Sequence, residues 1–389
     1  MEAGAGERLR SEGESMRVGV IGGGQLARMM IAPAEELGLD IRVLAEEPDM
    51  SAALAATATG DYRDLDTVLA FAQDVDVITF DHEHVPQDVL AGLIDAGVAV
   101  HPGPAALAVA QDKLVMRATM ARIGAPQPDW AAVHDADELA AFLDAHDGRA
   151  VVKTARGGYD GKGVRVVNAA HEADDWFTAL AEDANGGALL VEEMVDFTRE
   201  LAQQVARRPS GEAVAYPVVQ TVQRDGVCAE VTAPAPGIGA LADEAAALGL
   251  RIAEELDVTG MLAVELFETA DGRILVNELA MRPHNSGHWT QDGAITSQFE
   301  QHLRAVLDLP LGDPSPRAAH AVMINILGGP EGATMSDRFS AALAAAPDAK
   351  IHTYGKAPRP GRKVGHVNAA GADLDAVLAS ARAAAAAFD

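Results

Sequence analysis

Cysteine is almost missing from this chain. Cys228 stands alone, so an internal disulfide and a cysteine-rich zinc site are both excluded. No stretch approaches the ~18 consecutive apolar residues that a helical membrane span needs. Cations are scarce as well, 30 lysines and arginines against 58 aspartates and glutamates, for a formal charge of −28. A surface this acidic repels phosphate backbones and anionic lipid, which argues against non-specific nucleic-acid or membrane-surface binding. Residues 1–15 hold four glutamates and no apolar stretch. They read as a disordered leader ahead of Met16 and not as a signal peptide. These absences describe a soluble protein of a reducing compartment, expected in the cytoplasm.

What is present is the composition of a folded protein, 49% apolar and 23% charged over 389 residues. At ~150 residues per domain that length suggests two or three domains. From residue 16 short apolar runs alternate with helical spacing: strands over 16–22, 41–44, 75–80 and 98–100, helices over 25–36 and 86–96. The alternation predicts a doubly wound parallel sheet, and we set this N-terminal α/β domain at 16–111. From 112 the strands are joined by short connections and read as antiparallel. We set a central domain at 112–314, with a mobile lid over 140–215. A small C-terminal domain, 315–389, closes in an alanine-rich helix.

Two glycine-rich loops point to phosphate. Gly22-Gly23-Gly24-Gln25-Leu26-Ala27 follows a strand and satisfies G-x-G-x-x-A. Glu46 lies about twenty residues on, where a ribose-binding acid could sit. A dinucleotide, another phosphate at the helix amino terminus, and a structural need for glycine beside a sheet all fit this loop. The second loop, Gly157-Gly158-Tyr159-Asp160-Gly161-Lys162-Gly163, is not a P-loop. Arg156 stands where the first P-loop glycine belongs, Gly163 replaces the hydroxyl residue, and a strand follows in place of a helix. A hairpin lid closing its backbone N–H groups over a nucleotide suits it better, with Lys153 on the preceding strand reaching the same phosphates.

Residues 261–268 and 274–279 flank Asp271-Gly272, a signal for a two-residue type I′ hairpin. With that turn centre Glu265 stands opposite Glu278, their Cβ atoms about 4.5–5.5 Å apart. Facing carboxylates on an apolar hairpin repel unless a cation lies between them, and oxygen ligands with open positions suit Mg²⁺. Immediately after, Arg282, His284, Asn285, Ser286 and His288 crowd one loop. A small anion held near the metal is the simplest demand that explains them. Further on, Lys350, Lys356, Arg359, Arg362 and Lys363 lie in a segment without a single acid. This local reversal of charge calls for an anionic partner such as a phosphate monoester. Glu83 follows a strand of the first domain, at the end where α/β ligands bind. Cys228 reads as a buried apolar filler.

Together the parts describe an ATP-dependent ligase that activates a small anion and passes it to a phosphorylated acceptor. Four stretches carry a closer likeness: GGGQLARMM at 22–30, GGYDGKG at 157–163, NELAMRPHNSGHWTQ at 277–291 and RPGRKVGH at 359–366. In wording and order they resemble the ATP-grasp superfamily, and within it the N5-carboxyaminoimidazole ribonucleotide synthase family (the ATPase subunit of phosphoribosylaminoimidazole carboxylase). The resemblance implies a pre-ATP-grasp domain, an ATP-grasp domain and a small C-terminal domain. It implies a carbon–nitrogen ligase of purine biosynthesis, a homodimer that takes ATP, bicarbonate and 5-aminoimidazole ribonucleotide with Mg²⁺ or Mn²⁺. By the same resemblance Lys153 and the loop Gly158, Tyr159, Asp160, Gly161, Lys162, Gly163 and Val164 hold the triphosphate. Glu192, Glu193, Met194 and Val195 contact adenine, and Glu200 takes the ribose hydroxyls. Asn277 and Glu278 also meet the nucleotide, while Glu265 and Glu278 bind the metal. Lys113 stands where the family has an arginine near the nucleotide, and Gln223 where it has a histidine. Arg282, His284, Asn285 and Lys363 act on bicarbonate or carboxyphosphate. Gly24, Gln25, Leu26, Glu83, Tyr159, Lys356, Arg362 and Lys363 hold the ribonucleotide.

Overall fold

The computed structural model describes residues 15–157, 163–182 and 187–389. The leader, save its last residue, lies outside the described residues, as do Gly158, Tyr159, Asp160, Gly161 and Lys162. Three sheets build the molecule.

The first holds β1 (Arg17–Ile21), β2 (Asp40–Ala45), β3 (Ala56–Thr59) and β4 (Val77–Phe80), all parallel in the order β3-β2-β1-β4. β1 is apolar on both faces and buried beyond its first residue, as a sheet covered by helices on both sides requires. The chain leaves β1 toward β2 on one side and returns to β4 on the other. Strand order reverses between β1 and β4, and their carboxyl ends open a crevice of the kind α/β sheets use for ligands. Gly22 turns the chain out of β1 with φ +102°, a conformation only glycine adopts freely. The helix Gln25–Glu36 then begins at the crevice.

The second sheet holds β5 (Trp130–Val133), β6 (Ala150–Thr154), β7 (Val164–Val167) and β8 (Leu189–Glu193), in the order β5-β8-β6-β7 and antiparallel throughout. Helices Ala136–Ala145 and Asp174–Glu182 pack on it. β6 and β7 pair in the register Lys153 to Val164 and so form the hairpin that carries the second glycine loop. This small layer runs over 130–193, whereas the segment expected as a lid, 140–215, also takes in β-strands 197–207 and 213–215 of the third sheet.

The third sheet holds β9 (Phe197–Arg207), β10 (Ala213–Ala215), β11 (Val219–Arg224), β12 (Val227–Ala233), β13 (Gly260–Thr269), β14 (Ile274–Ala280), β15 (His320–Leu327), β16 (Lys350–Thr353) and β17 (Lys363–Gly371). Its order is β14-β13-β9-β11-β12-β15-β17-β16, with β10 on β9. The C-terminal strands continue this sheet through the β12–β15 pairing instead of making one of their own. Among the described residues no helix is long and apolar enough to cross a membrane.

One apolar cluster runs from Ile21 and Phe80 of the first sheet into Leu201, Leu262 and Val264 of the third, so the two share a core. Leu262 sits in that shared core with no exposed surface. Leu262→Ala is expected to lower stability by about 2–5 kcal/mol. Urea unfolding checks it: the midpoint falls while the slope is kept.

Candidate active site

A cleft of about 1420 Å³ opens where the three sheets meet. Its floor is the β13–β14 hairpin. The turn is not the two-residue type the Asp271-Gly272 pair suggests. Gly272 N–H donates to the Thr269 carbonyl at 3.0 Å and Thr269 N–H to the Arg273 carbonyl at 2.9 Å, leaving a three-residue loop with Gly272 at φ +79°. Near the turn the register is shifted by one, Leu266 facing Val276. A bulge at Asn277 shifts it back, and Glu265 faces Glu278 as expected. Two offsets cancel.

The bulge frees groups that one arginine collects. Arg117, on the helix Lys113–Arg122 and fully buried, donates from Nη1 to the Val276 carbonyl at 2.7 Å and from Nη2 to the Asn277 carbonyl at 2.9 Å. Its Nε lies 2.5 Å from Glu192 Oε1. The other Glu192 oxygen meets Lys153 Nζ at 2.7 Å, and that ammonium also donates to Asn277 Oδ1 at 3.3 Å. Thus the Glu192 side chain holds Lys153 in place. Lys113, one turn before Arg117, meets Glu278 Oε1 at 3.1 Å. Its backbone N–H is fixed on the Ala155 carbonyl at 2.9 Å, beside the glycine loop.

Charge is unevenly balanced on this floor. Burial, then Glu278 and Glu200, push the Glu265 carboxyl up to about 8. Burial also raises Glu200, which faces the same side from β9. His284 Nε2 stands 3.4 Å from Glu265 Oε1. Burial first, then Arg282 and Lys363, press the His284 imidazole down to about 3, so it is neutral at ordinary pH. Its Nδ1 takes the Ser286 hydroxyl at 2.8 Å, and Gln204 Nε2 donates to that hydroxyl at 2.8 Å.

Arg282 Nε donates to Glu83 Oε2 at 2.7 Å, and Met281 N–H to Glu83 Oε1 at 3.3 Å. Glu83 therefore ties the end of β4 to the polar loop and orients its arginine. Asn285 is buried, with Asn325 Nδ2 donating to its Oδ1 at 3.1 Å. From the C-terminal segment Lys356, Arg359, Arg362 and Lys363 reach the cleft wall, and Lys356 Nζ donates to Gln25 Oε1. Lys350 does not join them; it lies beside Asp292. Gln223 on β11, Glu193, Met194, Val195, Gly157 and Val164 also line the cleft.

The first glycine loop turns inward. Asp81 Oδ1 accepts from the Ala27 N–H at 2.8 Å, filling the helix amino terminus where a phosphate was expected. A Cβ on Gly24 would meet Asp81 Oδ2 at 1.9 Å, so glycine there makes room for a carboxylate of the chain itself. Glu46 lies 3.6 Å from His82 Nε2, so its carboxylate faces an imidazole of the chain itself. Only Gln25 and Leu26 of that loop reach the cleft.

Three family models match the chain: a ribonucleotide synthetase preATP-grasp domain over 15–111, an ATP-grasp domain over 118–299, and a phosphoribosylaminoimidazole carboxylase C-terminal domain over 321–380. The N5-carboxyaminoimidazole ribonucleotide synthase of Mycobacterium tuberculosis H37Rv is 52% identical over 362 residues, 92% of this chain and 84% of its own. The chain belongs to the N5-carboxyaminoimidazole ribonucleotide synthase family. The family's synthase from Corynebacterium ammoniagenes is 50% identical over 95% of this chain and 91% of its own. An Aspergillus clavatus member solved with ADP and 5-aminoimidazole ribonucleotide superposes with a TM-score of 0.86 at 30% identity, covering 96% of this chain and 98% of that one.

Sequence reasoning missed Arg117, Ser286's partner Gln204, and Gln298, which holds the polar loop. For Arg117 a signal existed, since Lys113 and Arg117 stand four apart on one helix face. Arg117→Leu strands Glu192 and two carbonyls, and stability is expected to fall by about 3–5 kcal/mol. Burial raises Glu192, but Lys153 and Arg117 outweigh it and hold the carboxyl below its ordinary 4.5. The stability it supplies is present at neutral pH and lost as pH falls through that lowered value. Acid unfolding followed by circular dichroism is therefore expected to begin at a higher pH in the variant.

Proposed function

We propose that this chain is an ATP- and bicarbonate-dependent carbon–nitrogen ligase that carboxylates the amine of 5-aminoimidazole ribonucleotide, giving N5-carboxyaminoimidazole ribonucleotide in purine biosynthesis. The observation that carries the reading is the juxtaposition of facing glutamates, Arg282 and His284, and the cationic tail in one cleft. No sulfur or imidazole cluster competes with the oxygen donors: among the described residues no group of three or more His, Cys, Asp or Glu has metal-ligating spacing. The donor set fits Mg²⁺, or Mn²⁺ in its place. Glu265 and Glu278 are hard oxygen ligands, and burial with Glu278 and Glu200 nearby disfavours charge on Glu265 unless a cation joins it. When bound there, the metal would draw charge off the triphosphate.

Lys153 and the glycine hairpin grip the phosphates, and the exposed apolar side chains Val164, Val166, Met194 and Phe197 line a slot suited to a flat base. An oxygen of bicarbonate attacks the γ-phosphorus, the bond to the bridging oxygen breaks, and ADP leaves. Bicarbonate is a weak nucleophile approaching a polyanion, so Arg282 and Lys363 offset the repulsion. Neutral His284 donates a hydrogen bond without adding charge. The amine then attacks the carbonyl carbon, phosphate departs and the nitrogen gives up a proton. Gln25, Lys356 and Arg362 hold the ribonucleotide phosphate at the crevice between β1 and β4. Carboxyphosphate hydrolyses readily, so a closing hairpin also protects it. The reading carries with it a homodimer in the cytoplasm, as the family resemblance implies.

Phosphate release from ATP with Mg²⁺ tests the reaction. Release is expected only when bicarbonate and 5-aminoimidazole ribonucleotide are both present; release that needs neither overturns the reading. Glu278→Gln is expected to cut turnover by at least ~100-fold while the fold is kept, since removing one carboxylate also relieves the cross-strand repulsion. Near-normal turnover in a folded Glu278→Gln protein would remove the metal hairpin from the account.

A further inference from the structure

The polar loop contains a second imidazole that the reaction as described leaves idle. His288 has no exposed surface, yet it is among the residues that line the cleft, beside His284 and Asn285. Its Nδ1 lies 2.9 Å from Gln298 Nε2. Which way that amide points is settled by the backbone of His284. The His284 N–H donates to Gln298 Oε1 at 2.9 Å, and the His284 carbonyl accepts from Gln298 Nε2 at 2.9 Å. Reversing the amide would set donor against donor and acceptor against acceptor. Gln298 therefore gives one N–H to the His284 carbonyl and the other to His288 Nδ1.

A ring whose Nδ1 accepts, when neutral, carries its proton on Nε2. Burial, with the nearby His284 and Lys363, keeps His288 neutral. That Nε2–H is buried and meets no acceptor among the described residues. Asn285 Nδ2 is nearly in the same condition: its Oδ1 is occupied by Asn325, and its buried N–H₂ group has only the sulfur of Cys228, a weak acceptor, beside it. Unsatisfied buried donors are costly and uncommon. Two of them on one loop, in the wall of one cleft, make a cradle for an anion's oxygens.

Space was made for this arrangement. A Cβ on Gly287 would come 2.4 Å from Gln298 Oε1, so only glycine admits the amide so close to the loop. Gln298 opens the helix Gln298–Val306, whose Phe299 and Leu303 pack into the core of the first sheet. The amide is thus anchored on a rigid element that never enters the cleft.

Building on the ligase reading, we propose that His288 is a further binding residue, donating Nε2–H to the bicarbonate-derived anion beside Asn285, and that Gln298 is the positioning residue that fixes its tautomer. A neutral donor suits the task. It stabilises oxygens that gain charge during phosphoryl and carboxyl transfer, and it does so without adding a charge of its own.

The tautomer is read directly in the wild-type enzyme with ring-¹⁵N-labelled histidine by two-bond proton–nitrogen correlation, the His288 signal being located by its loss in His288→Gln. Nε2–H is expected, and its proton is expected to shift on adding bicarbonate with Mg²⁺ and ADP. Gln298→Glu, which can no longer donate to Nδ1, is expected to move the proton to Nδ1. In steady-state assays His288→Phe is expected to raise the bicarbonate KM about 10- to 100-fold, the weight of a hydrogen bond to a charged group. The KM values for ATP and ribonucleotide are expected to stay within about twofold, and His288→Gln, whose Nε2 restores a donor, is expected to recover most of the loss. An Nδ1–H tautomer in the wild type, no bicarbonate-induced shift, or an unchanged bicarbonate KM in folded His288→Phe overturns the proposal. Were wild-type turnover independent of bicarbonate, the ligase reading would fall, and the bicarbonate shift would still decide whether His288 meets the anion.

Discussion

Two carboxylates face each other across a buried hairpin, and much of the surrounding structure is arranged around that repulsion. Glu265 and Glu278 share a register position on β13 and β14, on an otherwise apolar floor. Burial first, then Glu278 and Glu200, raise the Glu265 carboxyl to about 8, so a charge there is costly unless it is answered. The answers are spatially divided. Lys113 takes Glu278 and His284 approaches Glu265 as a neutral ring, and the divalent cation proposed for this hairpin would supply the rest. The bulge at Asn277 that restores the register lies where Arg117 gathers two carbonyls, so one local irregularity bears on the carboxylates and, through Glu192, on Lys153.

The same logic extends to the domain junctions. A chain of net charge −28 concentrates its cations where anionic substrates meet. Glu83 reaches from the first sheet to orient Arg282, and Gln25 receives Lys356 from the C-terminal strands. Each of these contacts joins segments far apart in sequence. The cleft is a shared product of all three sheets, which is why the residues that line it are scattered from Gln25 to Lys363.

Contiguous chemistry was legible in the sequence and distant pairing was not. Alternating strand and helix patterns sufficed for the parallel sheet, and the hairpin's apolar strands for the facing glutamates. That second success came from two offsets cancelling: turn residues alone cannot reveal a bulge several residues away. The helix start at Gln25 looked open to a phosphate because Asp81, more than fifty residues on, is not in the motif. Arg117 and Gln298 escaped notice for the same reason, since each acts through backbone groups that any residue supplies. Lys350 was grouped with its basic neighbours because charge runs say nothing about which face a strand presents.

The central claim is that Glu265 and Glu278 jointly hold a divalent cation against the nucleotide. Anomalous diffraction from crystals grown with Mn²⁺ and ADP tests it most directly. The account predicts a manganese peak bridging the two carboxylates in the wild type and its disappearance in Glu265→Gln/Glu278→Gln crystals. A peak held by other residues, or one that persists in the double variant, would contradict it.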